Sequence, residues 1–474
     1  MPQVNYALVT TFLQSDGPAP VNYIPIAGIP ATGGVPFAEA AKYYASVDAM
    51  LEDGFLSTSA EVLAATQVFG APIPAERRPT RVAVIARSAA VAQVEEFTVL
   101  ASDDGTYRLF ISYPFGSTAI EAASFAAVGQ SVTQIKDGLL ASLALGPFLG
   151  IVTGASVDAD TGSVTAGVAG VPFLLTATGP NGAADFQLDT VAVSSGLYDD
   201  LTAGWQVAPF WAVLPDVSEV AGVQYEAGRW AQDSAATRSS RRNIALLQTN
   251  DGDILSSTTP NFATPLGDLN YDRSFALYHP DISGSDKMTA AWFGRYGGLE
   301  FGRRGWHLGL VNGTTLAGEL NYLDSEVENA CAQGVALVER LNGPADPLRI
   351  AIRDGNTENR YPIQKQAEDY WWLRVGQALI RTLQDDADEG VNLDTDGVGK
   401  GESAIDEVNT ELATTGVLDP NTLVVEPVPI EDIPTAEVEI GDYQTTGGYN
   451  VSAVLIPKIR RFRASATFAL APNT

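Results

Sequence analysis

The chain has one cysteine, two histidines and three methionines in 474 residues. A lone cysteine, Cys331, excludes an intramolecular disulfide and any metal site built from several thiolates. Two histidines are too few for most hydrolytic or metal-binding constellations. Basic residues are scarce as well: 28 Lys and Arg stand against 57 Asp and Glu, a formal net charge of −29. Phosphate recognition needs clustered Lys and Arg, so this balance argues against nucleic acid as a partner. No apolar run is fit to cross a bilayer. The uncharged stretch from Gly138 to Val157 is broken by Gly146, Pro147, Gly150 and Gly154, which divide it into a helix end and a strand. No basic segment followed by an apolar one opens the chain, so export by a signal peptide is not expected. Phosphate-cradling and nucleophile-elbow motifs are missing. Gly397-Val398-Gly399-Lys400-Gly401-Glu402 is glycine-rich, yet it lacks the GxxxxGK[ST] spacing and the hydroxyl after its lysine.

What is present is globular: 45% apolar, 18% charged, with 45 Gly and 27 Pro marking many turns. The length exceeds one ordinary hydrophobic core and predicts two or three domains. Charge is uneven. Residues 366–442 hold 19 acids and 3 bases, whereas residues 451–474 hold Lys458, Arg460, Arg461 and Arg463 and no acid. Arg238-Ser239-Ser240-Arg241-Arg242 is a basic cluster in an otherwise acidic chain. Its bland reading is a surface patch after a helix. Its sharper reading makes Arg241, Arg242, Arg460, Arg461 and Arg463 charge contacts between subunits.

Both ends read as strands without a local partner. Val4, Tyr6, Leu8, Thr10 and Phe12 fall on a period of two, as do Phe462, Phe468 and Leu470 in the closing segment. An unpaired strand seeks another sheet edge. Two such arms, the second running from Val451 through Leu455 and Ile459 to Leu470, predict a subunit woven into a polymer.

Between the arms (1–15 and 449–474) the chain divides by texture. Residues 16–89 read as a Gly/Pro-rich loop and two short helices, Ser46–Asp53 closing at Gly54 and a second opened by the capping-box spacing Thr58-Ser59-Ala60-Glu61, then a buried strand over Arg81–Ala86. Residues 90–195 carry short strands around an alanine-rich stretch, Ser117–Leu145, predicted helical, and read as an insertion domain. Residues 196–417 return to α/β texture. Strands are expected at 211–214, 244–249 and 275–278, and helices at 217–234, 288–297, 326–341, 368–386 and 404–415. In the helix at 368–386, Tyr370, Leu373, Ile380 and Leu383 form the apolar stripe, and Glu368 and Asp369 sit at its positive end. Residues 418–448 are an acidic, Pro-rich connector with a strand at Ala436–Ile440. The predicted fold class is α/β: a discontinuous mixed α/β core, a β-rich α+β insertion domain and extended terminal arms.

Chemistry-bearing motifs are few. His279-Pro280-Asp281 matches the tripeptide of J-domain co-chaperones without their basic helical hairpin, and His307 beside Trp306 reads as structural or interfacial. Asn392–Gly397 matches the first half of a Ca²⁺-binding loop, but its twelfth position is Ser403 and Glu402 comes one place early, so an acidic turn is the better reading. No catalytic residue, metal ligand or cofactor is assigned. Abundant carboxylates leave an acidic hydrolase as a minor reading beside two structural ones.

One structural reading rests on pattern. Tyr44, Ser46 and Asp48, a short helix ending near Phe55, a helix opened by Ser59 and ending at Phe69, Pro72 and Pro74, and then Arg81-Val82-Ala83-Val84-Ile85-Ala86-Arg87 resemble the N-terminal region of contractile bacteriophage tail sheath proteins. Leu320-Asn321-Tyr322, Gly334, Trp371-Trp372-Leu373, Gly397-Val398, Thr415-Gly416 and the Arg-rich closing strand follow in the same order. The resemblance covers nearly the whole chain outside the insertion. It implies a core assembled from N- and C-terminal parts, an insertion facing outward, and terminal arms of adjacent subunits completing a sheet in a third. It further implies a helical homopolymer around a tail tube protein, baseplate and tail terminator proteins as partners, a place in a virion tail assembled in the bacterial cytoplasm, and contraction without a cofactor, nucleic acid or membrane insertion. The tube-facing surface is expected around Asp394–Thr415. The alternative is another virion structural protein, a fibre or capsid-associated module.

Overall fold

The structure is a computed structural model that describes residues 27–216, 221–236, 242–258, 260–280, 287–298, 309–310, 322–339, 349–351, 362–385, 394–414, 416–435 and 449–452. Its centre is a nine-stranded sheet. The strands are β1 (Ala27–Pro30), β2 (Ala41–Tyr44), β3 (Val82–Ile85), β11 (Ala212–Val213), β12 (Ile244–Thr249), β13 (Ser274–Tyr278), β14 (Gly309–Leu310), β15 (Val335–Glu339) and β16 (Arg349–Ala351). They lie in the order β14-β16-β15-β13-β12-β11-β1-β3-β2. The run from β15 to β3 is parallel, and β2, β16 and β14 are antiparallel edges. Parallel strands covered on both faces need continuous apolar runs, and Val82–Ile85 and Ile244–Leu247 are buried without a break.

Helices cover both faces. Against Ile244 and Leu246 pack α1 (Val47–Asp53), α2 (Ala60–Phe69) and α8 (Met288–Tyr296). Against Ala245 and Leu247 pack α4 (Leu197–Val207), α5 (Ala221–Ala236), α6 (Asp253–Ser256), α7 (Thr264–Asp268) and α9 (Asp324–Ala332). Helix α1 starts where Ser46 Oγ accepts from the Ala49 amide (3.2 Å) and stops at Gly54 in the left-handed region. The cap of α2 is Ser59 rather than Thr58, and Glu61 does not close a capping box. Its Oε1 accepts instead from the amide of Thr32 (2.6 Å), tying α2 to the loop after β1.

Between β3 and α4 the chain makes a lobe with its own core. Two sheets, β10-β4-β8-β7 and β6-β5-β9, wrap helix α3 (Val132–Leu143). Their strands are β4 (Val94–Val99), β5 (Gly105–Ser112), β6 (Ile120–Ala127), β7 (Val152–Ser156), β8 (Thr161–Ala166), β9 (Leu174–Thr178) and β10 (Phe186–Ala192). The expected helix over Ser117–Leu145 is thus half wrong: its first part is β6, paired with β5 from Gly105↔Ala127 to Ile111↔Ile120. Small residues there let α3 lie close, and Ser131 with Gln134 supplies the capping box that starts α3.

The expected helix over 326–341 ends at Ala332. Gly334 takes a φ of 73°, open to glycine at little cost, and the chain turns into β15. The helix expected at 368–386 begins earlier, as α10 (Pro362–Asp385), and that at 404–415 begins at Thr395, as α11 (Thr395–Thr414). Asn392–Ser403 is therefore not an acidic turn over its described part. Asp394 Oδ1 accepts from the Gly397 amide (2.9 Å) at the start of α11, and residues 395–403 are helical, which keeps their carboxylates from converging as a Ca²⁺ loop would require. The connector is no free spacer over 418–435. Leu418 and Ile433 are buried, and β17 (Val424–Pro427) pairs antiparallel with β18 (Tyr449–Ser452). The strand expected at Ala436–Ile440 lies outside the described residues.

Candidate assembly surface

A doubly wound sheet places ligands where the strand order reverses, outside the carboxyl ends of its strands. Here that point lies between β1 and β11, because the chain passes from β1 to β3, leaves for the lobe and returns to β11 on the other side of β1. The crevice is filled by its own residues. Lys287 pairs with Asp216 below Pro30, Leu214 and Gln248, leaving a cavity of ≈ 10 Å³, about room for one water.

The C-terminal helices are bound to the sheet body through Asp369. Its Oδ2 accepts from Trp211 Nε1 (2.8 Å) and Arg273 Nη1 (3.0 Å), and its Oδ1 accepts from Arg273 Nη2. Arg273 is 2% exposed and also donates to the Asn243 carbonyl (3.2 Å). Burial pushes the Asp369 carboxyl up to about 6, against the pull of the Arg273 guanidinium. Around this pair lie Lys365, bonded to Asp272 (2.6 Å), and Arg242, whose guanidinium reaches Glu368 (3.1 Å) and sits 4.2 Å from the Trp372 ring centroid. Asp369 and Trp372 of α10 thus turn to this joint, Ala367 and Val375 pack in the cluster with α11, and the predicted stripe of Tyr370, Leu373 and Ile380 is only half-buried. A buried carboxylate turned the helix where an apolar count did not. Asp369 lies two turns inside α10, so its partner is Arg273 and not the helix terminus.

On the far side α10 packs against α11. Trp371 Nε1 donates to Asn409 Oδ1 (2.7 Å), and Arg374 Nη2 reaches Glu411 Oε2 (2.5 Å). The ribbon β17–β18 lies on the same unit: Tyr449 Oη donates to the Val398 carbonyl (2.7 Å), and Val425 and Val451 pack on the cluster of Ile405, Val408 and Leu412. Gly401 makes this approach fit, because a Cβ there would stand 2.0 Å from Tyr449 Oη. In an open helix Gly→Ala stabilises by about 1 kcal/mol. Gly401→Ala is expected to reverse that sign, lowering the denaturation midpoint and exposing the chain near Tyr449 to limited proteolysis. Gly399→Ala, with nothing within 4 Å of its Cβ position, is expected to raise the midpoint. Equal shifts in the same direction would contradict this packing.

Among the described residues no third strand joins β17 or β18. The same unit carries exposed acids: Asp394 just before α11, Asp396, Asp406 and Glu407 on it, and Glu431 and Asp432 after β17.

Of the residues assigned to assembly, Val451 lies in β18 and pairs with Val425 of its own chain. Val4, Tyr6, Leu8, Thr10, Phe12, Leu455, Ile459, Phe462, Phe468, Leu470, Arg241, Arg460, Arg461 and Arg463 lie outside the described residues, as does His307. Arg242 is engaged inside the chain by Glu368 and Trp372. His279 is fully buried at the end of β13, where its amide donates to the Thr249 carbonyl (3.0 Å). Sequence reasoning missed the Asp369–Arg273–Trp211 joint. The one signal for it is an acid, Asp369, among the aromatic residues of a helix, with an arginine immediately before an apolar strand.

No family model matches the sequence, and no curated relative matches it. Solved structures do. The sheath tail protein Lin1278 from Listeria innocua is 10% identical, with a TM-score of 0.44 over 96% of this chain and 100% of that one. A chain of the anti-feeding prophage baseplate is 11% identical, with a TM-score of 0.41 over 57% of this chain and 72% of its own. A chain of the sheath complex of an extracellular contractile injection system, PVC, in its contracted state is 9% identical, with a TM-score of 0.37 over 54% and 70%. The chain's structural neighbours thus include a tail sheath protein, a chain of a sheath complex and a chain of a baseplate of contractile systems.

Proposed function

We propose that this chain is a structural subunit of a contractile tail sheath, polymerising as a helical tube around an inner tail tube and contracting to drive that tube through a host envelope. The observation that carries the reading is the β17–β18 ribbon, which no third strand joins among the described residues. A two-stranded ribbon is marginal alone and is held here by Tyr449 and the α10–α11 pair, and further strands would complete it. The order and spacing of Tyr44–Arg87 and of the later segments support the same assignment. In this reading residues 4–12 and 453–470 of neighbouring copies add to the ribbon by backbone pairing. A head-to-tail contact that does not close then generates a helical tube. The sheet body and the α10–α11 unit move together, because Asp369 joins them, while the strand connections keep the mesh linked as bodies rotate. Stored interface energy drives contraction, so no nucleotide is required. The acidic α11 face is the surface assigned to the tail tube protein, and baseplate and tail terminator proteins cap the polymer. Negative-stain microscopy of the purified chain tests this: hollow cogwheel-like tubes are expected, whereas trimeric rods would indicate a fibre and discrete globules at every concentration would overturn the sheath assignment.

A further inference from the structure

The lobe of residues 94–192 carries ten acids and two bases, Arg108 and Lys136, yet one of its edges has no charge at all. Strand β7 ends the sheet β10-β4-β8-β7, and among the described residues no strand pairs with its outer side. Edge strands are normally blunted by charge, proline or a bulge. β10, the opposite edge, has Asp189 and a register shift between Thr190 and Ala192. β6 has Glu121, paired with Arg108 (3.2 Å), and a shift in its pairing with β5. β9 is bracketed by Pro172 and Pro180. β7 has none of these devices. Residues 148–157 contain no charged side chain and no proline, and the pairing with β8 runs unbroken from Val152↔Ala166 to Ser156↔Gly162.

The edge is also held in shape. Lys136 of α3, 2% exposed, donates to Ser156 Oγ (2.7 Å) and to the Asp158 carbonyl (2.6 Å). At the other end the Val152 amide donates to the Phe148 carbonyl (3.1 Å). The Val157 amide donates to the Thr161 carbonyl (3.0 Å) and the Gly167 amide to the Ile151 carbonyl (2.7 Å), so odd-numbered residues bond inward to β8. In an antiparallel ladder the even ones, Gly154 and Ser156, then turn their N–H and C=O groups outward. Gly154 faces α3, because a Cβ there would stand 2.9 Å from Leu140. Thr153, Ala155 and Val157 therefore share the opposite face, where all three are exposed.

We propose that the β7 edge is a self-association surface, at which the lobes of two copies of this chain join by antiparallel β7–β7 pairing across a two-fold axis at Ala155. Gly154 of each copy meets Ser156 of the other, and each of these pairs exchanges both backbone hydrogen bonds. Val152, whose amide is already taken, is not called upon. On the exposed face Thr153 meets Val157 of the second copy, a pair of β-branched side chains, and Ala155 meets Ala155 where two strands come closest. Charge selects the second copy as occupant. With a net charge of −29 two copies repel over most of their surface, and this edge brings them together without juxtaposing carboxylates. Antiparallel pairing sets the two Asp158 residues six positions apart, about 20 Å, well beyond the screening length of about 8 Å. Parallel pairing would place them side by side. A five-residue edge gives a weak, concentration-dependent contact. The inference rests on the lobe alone and not on the sheath reading. A two-fold contact cannot lie between successive copies of one polar tube, so under that reading it joins copies that do not share a tube.

Disulfide trapping in the full-length chain tests the pairing. Under oxidised glutathione, Ala155→Cys is expected to form a linked dimer about 10-fold faster than Thr153→Cys, because only position 155 meets itself across the axis at a separation a disulfide spans. The unmodified chain, whose Cys331 is buried, is the background. Both substituted positions are exposed, and circular dichroism checks the fold. A second measurement needs no thiol. Ala155→Lys and Ala155→Glu chains, each repelling its own kind at the axis, are expected to sediment as monomers at concentrations below tube formation. Mixed together they are expected to pair with a dissociation constant about 10-fold lower than either shows alone. Equal cross-linking at 155 and 153, or no gain on mixing the Lys and Glu chains, overturns the proposal. Negative-stain microscopy of the same variants reads tube formation separately, so the pairing and the sheath assignment fail by different results.

Discussion

Asp369→Ala is expected to lower unfolding stability by about 3–5 kcal/mol, because it leaves the Arg273 guanidinium buried without its carboxylate. The magnitude follows from burial. Arg273 and Asp369 side chains are 2% and 6% exposed, and no solvent is at hand to take over the lost contact. Trp211 Nε1 loses its acceptor at the same time, which adds the desolvation cost of an unmade hydrogen bond. Asp369→Asn keeps one carbonyl oxygen for Trp211 or Arg273 and is expected to cost less. Urea denaturation followed by tryptophan fluorescence measures both, since Trp211, Trp371 and Trp372 flank the joint. A loss under about 1 kcal/mol for Asp369→Ala would show that the joint is already wet or that Arg273 finds another partner. The same variant reports on assembly. If α10 carries motion between the ribbon and the sheet body, tubes of a folded Asp369→Ala chain are expected to be shorter and irregular by electron microscopy.

Deleting residues 1–12 is expected to abolish tube formation while leaving a folded, soluble monomer. Among the described residues the four buried clusters are built from residues 27–451. Under the proposed sheath reading the assembly is expected to need the segment, because backbone pairing between copies supplies the contacts that link subunits. Every subunit would lose one donor strand, so the loss multiplies along the polymer. Circular dichroism and gel filtration check the monomer, and negative-stain microscopy checks the tubes. Normal tubes from the truncated chain would sink the arm assignment. An unfolded truncated chain would place residues 1–12 inside the subunit's own fold.

Much of the sheet body is legible in the chain. Caps at Ser46 and Ser59, the stop at Gly54 and the runs Val82–Ile85, Ile244–Leu247 and Phe275–Tyr278 carry local signals, and local signals are what a sequence states directly. Ala-rich Ile120–Ala127 was read as helix because alanine favours helices. Pairing with β5 on one side and the close approach of α3 on the other made it a strand. Val335–Glu339 follows the expected helix without a break in sequence, and the turn at Gly334 is what ends α9 and starts β15.

The site follows the same division. That strands at the two ends seek partners is an expectation from their alternation, on residues outside those described, and the uneven charge is a matter of counting. Which face of α10 turns inward, that Arg242 is engaged within the chain and that the connector pairs as a strand over Val424–Pro427 were decided only by the tertiary structure. The physical reason is common to all three. Asp369 is buried because Arg273, 96 residues away, is there to meet it; Arg242 lies on Trp372 across a similar gap; and β17 is a strand because Tyr449–Ser452 returns to pair with it. Periodicity and propensity describe a residue's neighbours in sequence, whereas a buried charge or a paired strand is fixed by partners the fold brings from elsewhere.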